Sequence, residues 1–212
     1  MSPTTIVVPR GAEAAAVRRA RAPVRIAEIS PGAVGVVELP EFRPGEMVLV
    51  TGVCGALWRL RAGDVAIYGR VADANASIDL DPSVVDALSA ALPAALVVNA
   101  CTTRRVVTRV DARTTLAQRY NADVVDMEGT HLAAALQAQG VHFAMVRVVS
   151  DDAAHDLPPI DDAIDADGRM QPLPIALAFA RAPLKAISFV RSVGGALGVL
   201  TDVVRALSGV PA

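Results

Sequence analysis

Short runs of apolar residues alternate along the chain with stretches whose apolar positions recur every three or four residues. That alternation predicts strands interleaved with amphipathic helices. The runs Ile6–Pro9, Val24–Ile29, Met47–Thr51, Val65–Tyr68, Leu96–Asn99, Val124–Met127 and Phe143–Val149 read as strands. Several show no polar alternation, as expected of strands covered on both faces. One helix is predicted from Glu13 to Arg21, and another after Asp81-Pro82, a cap residue with proline at the first helical position. Two more run from Asp111 to Tyr120 and from Glu128 to a stop at Gly140. Asp151 to Pro174, rich in Asp and Pro, breaks the pattern and reads as a long surface excursion of the kind that often serves as a lid. Helices at Pro174–Arg181 and Pro183–Leu207 close the chain. No internal repeat or low-complexity linker divides it. The pattern therefore predicts a single α/β domain with a central, mostly parallel mixed sheet flanked by helices.

Composition narrows the class. A chain that is 53% hydrophobic and 20% charged is a folded globular protein. A net charge of −2 argues against a nucleic-acid partner, which would show as a basic excess. Cys54 and Cys101 match neither a zinc spacing nor a disulfide framework, so reduced thiols, no metal and a cytoplasmic location are expected. The start, MSPTTIVVPRG, lacks the apolar stretch of a signal peptide. Ala186–Leu207 is apolar but interrupted by Arg191 and Asp202, so no membrane span is expected and the protein should be soluble.

The candidate chemistry lies where charge interrupts apolar runs, because buried charge is costly unless it is paired or used. Arg147 stands inside FAMVRVVSDD, and Ser150, Asp151 and Asp152 follow at its carboxyl edge. Asp126 and Glu128 end the run VVDMEG. Ligands of open α/β sheets bind at the carboxyl ends of strands, so two such ends offer carboxylates and a guanidinium to one crevice. The competing reading of Arg147 with Glu128 is an ion pair that only sets register, and that of Asp151 a turn or cap. Gly52 and Gly55, in TGVCGALWRLRAGD, predict a turn that leaves backbone open to a ligand. No dinucleotide or triphosphate motif is present. Glu13, after Gly11 and the first strand, is by itself an ordinary first-turn glutamate.

Together these pieces resemble the nucleoside phosphorylase and nucleosidase superfamily. The TG-x-x-G-x-L run ending in GD (51–64), V-D-M-E (125–128) and V-R-x-x-S-D (146–151) occur in that family's order and at about its spacing. Within it the chain looks similar to the 5′-methylthioadenosine/S-adenosylhomocysteine nucleosidases. VDMEG, SDDAAHDLPP and DADGRMQPLP also resemble the hopanoid-associated branch, whose members are associated with removing adenine from adenosylhopane. The resemblance implies that Asp151 assists departure of the purine at N7, with Ser150 beside it. Glu128 would hold the ribose hydroxyls and Met127 pack on the sugar face. Glu13 would be the general base on water, Arg147 would orient that nucleophile, and Asp126, Gly52, Val53 and Gly55 would line the site. It further implies a small-molecule nucleoside substrate, water or phosphate as co-substrate, no cofactor, and a homodimer or larger homo-oligomer.

Three departures qualify this picture. Val53 stands where many relatives place a serine, and Val50 where phosphorylases often have a phosphate-binding arginine. Both favour hydrolysis over phosphorolysis unless Arg18, Arg19, Arg21 or a neighbouring subunit substitutes. Ser30–Glu46 is short for the family, with little room for its usual helix, and no residue is assigned to stack on the purine. A phosphorylase and a catalytically inert nucleoside-binding or structural member remain the alternatives.

Overall fold

The computed structural model describes residues 3–43, 45–160 and 171–210. Eight strands form one mixed sheet: β1 (Thr5–Pro9), β2 (Arg25–Ile29), β3 (Met47–Ala56), β4 (Val65–Ala72), β5 (Ser77–Asp79), β6 (Leu96–Thr102), β7 (Val124–Asp126) and β8 (His142–Asp151). Among the described residues six α-helices accompany them: α1 (Ala12–Arg19), α2 (Pro82–Ala91), α3 (Val110–Tyr120), α4 (Gly129–Ala138), α5 (Pro172–Arg181) and α6 (Pro183–Ser208). The predicted fold class holds. Strand pairing is parallel at β1–β2, β1–β3, β3–β8, β4–β6 and β6–β7, and antiparallel at β3–β7, β4–β5 and β4–β8.

These ladders close on themselves. β3 pairs with β8, β8 with β4, β4 with β6, β6 with β7, and β7 returns to the end of β3 at Gly55 and Ala56. A ring of five strands encloses an interior that side chains must fill. Apolar residues fill most of it, but Tyr68, Asp126 and Arg147 are buried as well. The continuous apolar strands of the sequence are thus explained: β8 is buried from Phe143 to Asp151 because helices cover one face and the ring interior the other.

The main correction concerns the predicted glycine turn at 52–55. Those residues continue β3, which runs to Ala56, and pair with β8. Instead of a turn that leaves backbone open to a ligand, glycine here clears space for side chains arriving from neighbouring elements. β4, β6 and β8 likewise extend beyond their predicted ends, and β5, a three-residue edge strand, had no apolar run to announce it. The 30–46 segment does contain a helix, a short 3₁₀ stretch at Ala33–Glu38. Asp81 caps α2 through the Ser83 N–H, as the Asp-Pro pair implied. Of the predicted excursion 151–174, residues 161–170 lie outside the described residues. Asp151 still belongs to β8, and α5 begins before Pro174.

α6 docks its C-terminal half through Ala196, Leu200, Val203, Val204 and Leu207. The Thr201 hydroxyl donates to the Ala16 carbonyl of α1. By length and composition α6 does qualify to cross a membrane, with mean hydropathy 1.5 over its most apolar window, of which 28% is buried. Its C-terminal half is nonetheless packed into the core of the fold.

Candidate active site

The carboxyl ends of β1, β3, β7 and β8 converge, and most of the charged residues singled out in the sequence meet there. Arg147, 1% exposed, projects from β8 into the ring. Its Nε lies 3.2 Å from Asp126 Oδ2 and its Nη2 lies 3.1 Å from Glu128 Oε2. Neither contact has hydrogen-bond geometry, while Nη1 donates to the Val53 carbonyl at 3.1 Å. Burial disfavours the guanidinium charge, but Asp126 and Glu128 outweigh it and hold the group protonated beyond the ordinary arginine.

Glu13 enters from the first turn of α1. Val53 N–H donates to its Oε1 at 2.7 Å, so Val53 holds Glu13 with one backbone group and Arg147 with the other. Gly52 makes this approach possible: a Cβ there would sit 2.5 Å from Glu13 Oε1 and 3.1 Å from Arg147 Nη1. Its φ of 151° is also one that residues with side chains rarely adopt. Burial of the carboxyl, then the charge of Glu128, raise the pKa of Glu13 from 4.5 to about 7, against the opposing pulls of Arg147 and the Val53 N–H. The ordinary surface glutamate of the sequence is therefore a carboxyl that changes charge near neutrality.

Glu128 and Met127 form the bend between β7 and α4. Glu128 Oε1 accepts from Gly32 N–H at 2.8 Å, which brings the 30–46 segment against the site as part of its wall. Met127 is half-buried. Asp126 faces the other way. Its Oδ2 meets Tyr68 Oη at 3.2 Å as well as Arg147, and its Oδ1 accepts from Thr102 Oγ1 at 2.8 Å and Gly129 N–H at 3.0 Å. With its acceptor positions taken, Asp126 orients Arg147 and the start of α4 and has little left for a ligand. Tyr68 and Thr102 were not anticipated from the sequence.

Asp151, at the last position of β8, forms a second cluster. Ser150 Oγ lies 2.6 Å from its Oδ1 and 3.1 Å from the Cys54 carbonyl. Gly55 lets the carboxylate lie close, since a Cβ there would be 3.2 Å from Asp151 Oδ2. The unanticipated partner is Arg113 of α3, 1% exposed, whose Nη2 lies 2.5 Å from Asp151 Oδ2. Arg113 also donates to the carbonyls of Asp152 and Val107. Burial pushes the Asp151 carboxyl above its usual range, and Arg113 opposes that shift. A signal for Arg113 did exist: it stands on the stripe Arg113–Leu116–Ala117–Tyr120 that α3 turns inward.

Arg18 pairs with Glu28, and both Arg18 and Arg19 lie in the last turn of α1, the opposite end from Glu13. They do not replace the missing phosphate ligands. Burial raises both thiols, Cys101 to about 12, so neither is a nucleophile near neutrality. Among the described residues no group of His, Cys, Asp or Glu is arranged to hold a metal ion. A cavity of about 630 Å³ between the 103–109 loop and α3 contains none of Glu13, Glu128 and Arg147.

The sequence matches the family described as the Phosphorylase superfamily over residues 9–178, from the end of β1 into α5. The chain belongs to that superfamily. No curated protein matches it. Among solved structures, similarity extends to the 5′-methylthioadenosine/S-adenosyl homocysteine nucleosidase of Helicobacter pylori, at TM-score 0.68 and 13% identity, with 98% of each chain covered. The Streptococcus pneumoniae MTA/SAH nucleosidase bound to 8-aminoadenine gives 0.62 and 16%, covering 95% of this chain and 99% of that one. Futalosine hydrolase of Helicobacter pylori gives 0.61 and 13%, covering 92% and 98%. At such identities the likeness is one of fold, and within the superfamily the chemistry has to be argued from the site.

Proposed function

We propose that this chain is a purine nucleosidase, hydrolysing the N-glycosidic bond of an adenine nucleoside that carries a 5′ substituent. The observation that carries the reading is Glu13, held by Val53 N–H beside Arg147 and Glu128 with its pKa lifted to about 7. Cleavage of the bond builds positive charge on the sugar and negative charge on the departing base. Glu13 takes a proton from the attacking water, and Arg147, anchored by Asp126, fixes where that water sits. Glu128 accepts from the ribose hydroxyls, and Met127 lies next to it against the sugar. Asp151, with its raised carboxyl pKa, protonates or hydrogen-bonds N7 of the base.

Water is favoured over phosphate by charge. Around the nucleophile position stand two carboxylates, Glu13 and Glu128, and one guanidinium, Arg147, whose charge Asp126 already offsets. A phosphate dianion would enter a region already net negative, with neither a serine at Val53 nor an arginine at Val50 to offset it. The related nucleosidases named above act on thioether nucleosides, and that is the alternative substrate class here.

A lipid-linked 5′ substituent, as in the adenosylhopane of hopanoid biosynthesis, has one observation in its favour. Val106, Ile160, Ile175, Ala178, Phe179 and Phe189 form a separate apolar cluster between the 103–109 loop and helices α5 and α6. Ser192 of α6 donates to the Ser150 carbonyl at 2.6 Å, which ties those helices to the residue before Asp151. The proposed enzyme works in the cytoplasm as a homodimer or larger homo-oligomer. The test is adenine release from methylthioadenosine, S-adenosylhomocysteine and a 5′-alkyl adenosine, with and without phosphate. Release without phosphate supports hydrolysis, and the preferred substrate chooses the tail. Binding of all three without release overturns the enzymatic reading in favour of an inert nucleoside binder.

A further inference from the structure

Most of the large apolar side chains that the fold leaves exposed lie on one contiguous piece of the chain. Leu173 and Leu177 of α5 are 83% and 52% exposed, and Leu184, Ile187 and Val190 of α6 are 82%, 51% and 55% exposed. Their spacing places them together on the solvent side of each helix, while Ala178, Ala186 and Ala196 face inward. Isolated exposed leucines need no explanation, but a row of five along two consecutive helices does.

The charges on these helices have one sign. From Gln171 to Thr201 the sequence has Arg181, Lys185 and Arg191 and no Asp or Glu, although the chain carries a net charge of −2. All three cations are exposed. Lys185 has a distant ion pair, Nζ to Asp156 Oδ2 at 3.9 Å, and no ion pair is formed by Arg181 or Arg191 among the described residues. An apolar helical face bordered by lysine and arginine is the composition of helices that lie in the headgroup region of an anionic bilayer. A second copy is the less suitable occupant, since a two-fold contact through this face would bring two sets of like cations together. Only the N-terminal half of α6 is available for this, because its C-terminal half is built into the core.

We propose that α5 and the first half of α6 form a monotopic membrane-facing element that lies on an anionic lipid surface, with Leu173, Leu177, Leu184, Ile187 and Val190 entering the acyl boundary and Arg181, Lys185 and Arg191 meeting the headgroups. The element adjoins the candidate active site, since Ser192 of α6 donates to the carbonyl of Ser150, the residue before Asp151. The surface stands independently of the proposed reaction and is testable without it.

The experiment is sedimentation of the full chain with vesicles of phosphatidylcholine containing phosphatidylglycerol, against phosphatidylcholine alone. The chain is expected to pellet with the anionic vesicles and to stay largely in solution with the neutral ones. Leu184→Asp with Ile187→Asp should weaken partitioning by about a hundredfold, since each buried leucine or isoleucine is worth roughly a factor of ten. Lys185→Glu with Arg191→Glu should weaken it and remove its salt dependence. These positions are exposed, so circular dichroism should show both variants folded. Three results would overturn the proposal: no pelleting with anionic vesicles, equal pelleting with neutral ones, or a native dimer that the Leu184→Asp, Ile187→Asp variant converts to monomer, which would make the face a contact between copies.

Discussion

The pKa of Glu13 sets the pH dependence of the proposed hydrolysis. Glu13 must be ionised to accept a proton from water, and its pKa of about 7 lies some 2.5 units above 4.5. At about 1.36 kcal/mol per unit, the site disfavours its charge by about 3 kcal/mol. About one-tenth of the molecules would carry the ionised base at pH 6, half at pH 7 and nine-tenths at pH 8. In an adenine-release assay, kcat/KM should therefore climb about tenfold per pH unit below 7 and stop climbing above it, any fall at higher pH belonging to Asp151, which must keep its proton to donate to N7. Glu13→Gln should lower the plateau by about 100- to 10,000-fold and abolish that limb. Glu128→Gln removes a charge that lifts Glu13, so the limb should move to lower pH. The same shift bears on stability. The folded state holds the Glu13 proton more tightly than the unfolded chain, so this contribution is full below about pH 4.5 and is lost as the pH rises to about 7. Relative to wild type, Glu13→Gln should therefore melt higher at pH 8 than at pH 5. A limb near pH 4.5 in the wild type, or one near pH 7 that survives in Glu13→Gln, would refute the assignment of Glu13 as the base.

Three further outcomes are expected. Gly52→Ala should keep the fold but cost about 10- to 100-fold in turnover, because its Cβ would lie 2.5 Å from Glu13 Oε1 and push that carboxylate aside; steady-state kinetics with a melting curve checks this. Arg147→Met leaves Asp126 and Glu128 buried without their counter-charge and should destabilise the protein by about 3–5 kcal/mol near neutrality, and less in acid, measured by denaturant unfolding. Asp151→Asn should abolish base release while adenine still binds, seen by calorimetry beside the activity assay; near-normal turnover would remove Asp151 from the acid role.

The elements that were legible in the sequence are those whose signals are local. Apolar runs marked the strands and the Asp81-Pro82 pair marked the start of α2. Charges inside apolar runs marked Arg147, Asp126, Glu128 and Asp151, because burying a charge without a use is costly enough to be conspicuous in any context. The family resemblance rested on the same positions. Each of these signals is carried within a few residues of chain.

What only the tertiary structure decided depends on residues far apart in sequence. Gly52 and Gly55 looked like a turn because glycine's usual role is conformational; here strand pairing with β8 overrides that and the missing Cβ makes room for Glu13 and Asp151. Glu13 looked ordinary because its pKa comes from burial and from a charge more than a hundred residues away, neither of which has a local trace. Asp126 looked like a ligand-binding group until Tyr68, Thr102 and Arg147 were seen to occupy it. Tyr68 meets Asp126 through closure of the strands into a ring, and Arg113 meets Asp151 through the docking of α3 beside the end of β8. The sequence by itself determined which residues had to be buried or paired. The closure of the sheet decided which of them meet, because partner choice is set by long-range register and no short stretch of chain encodes it.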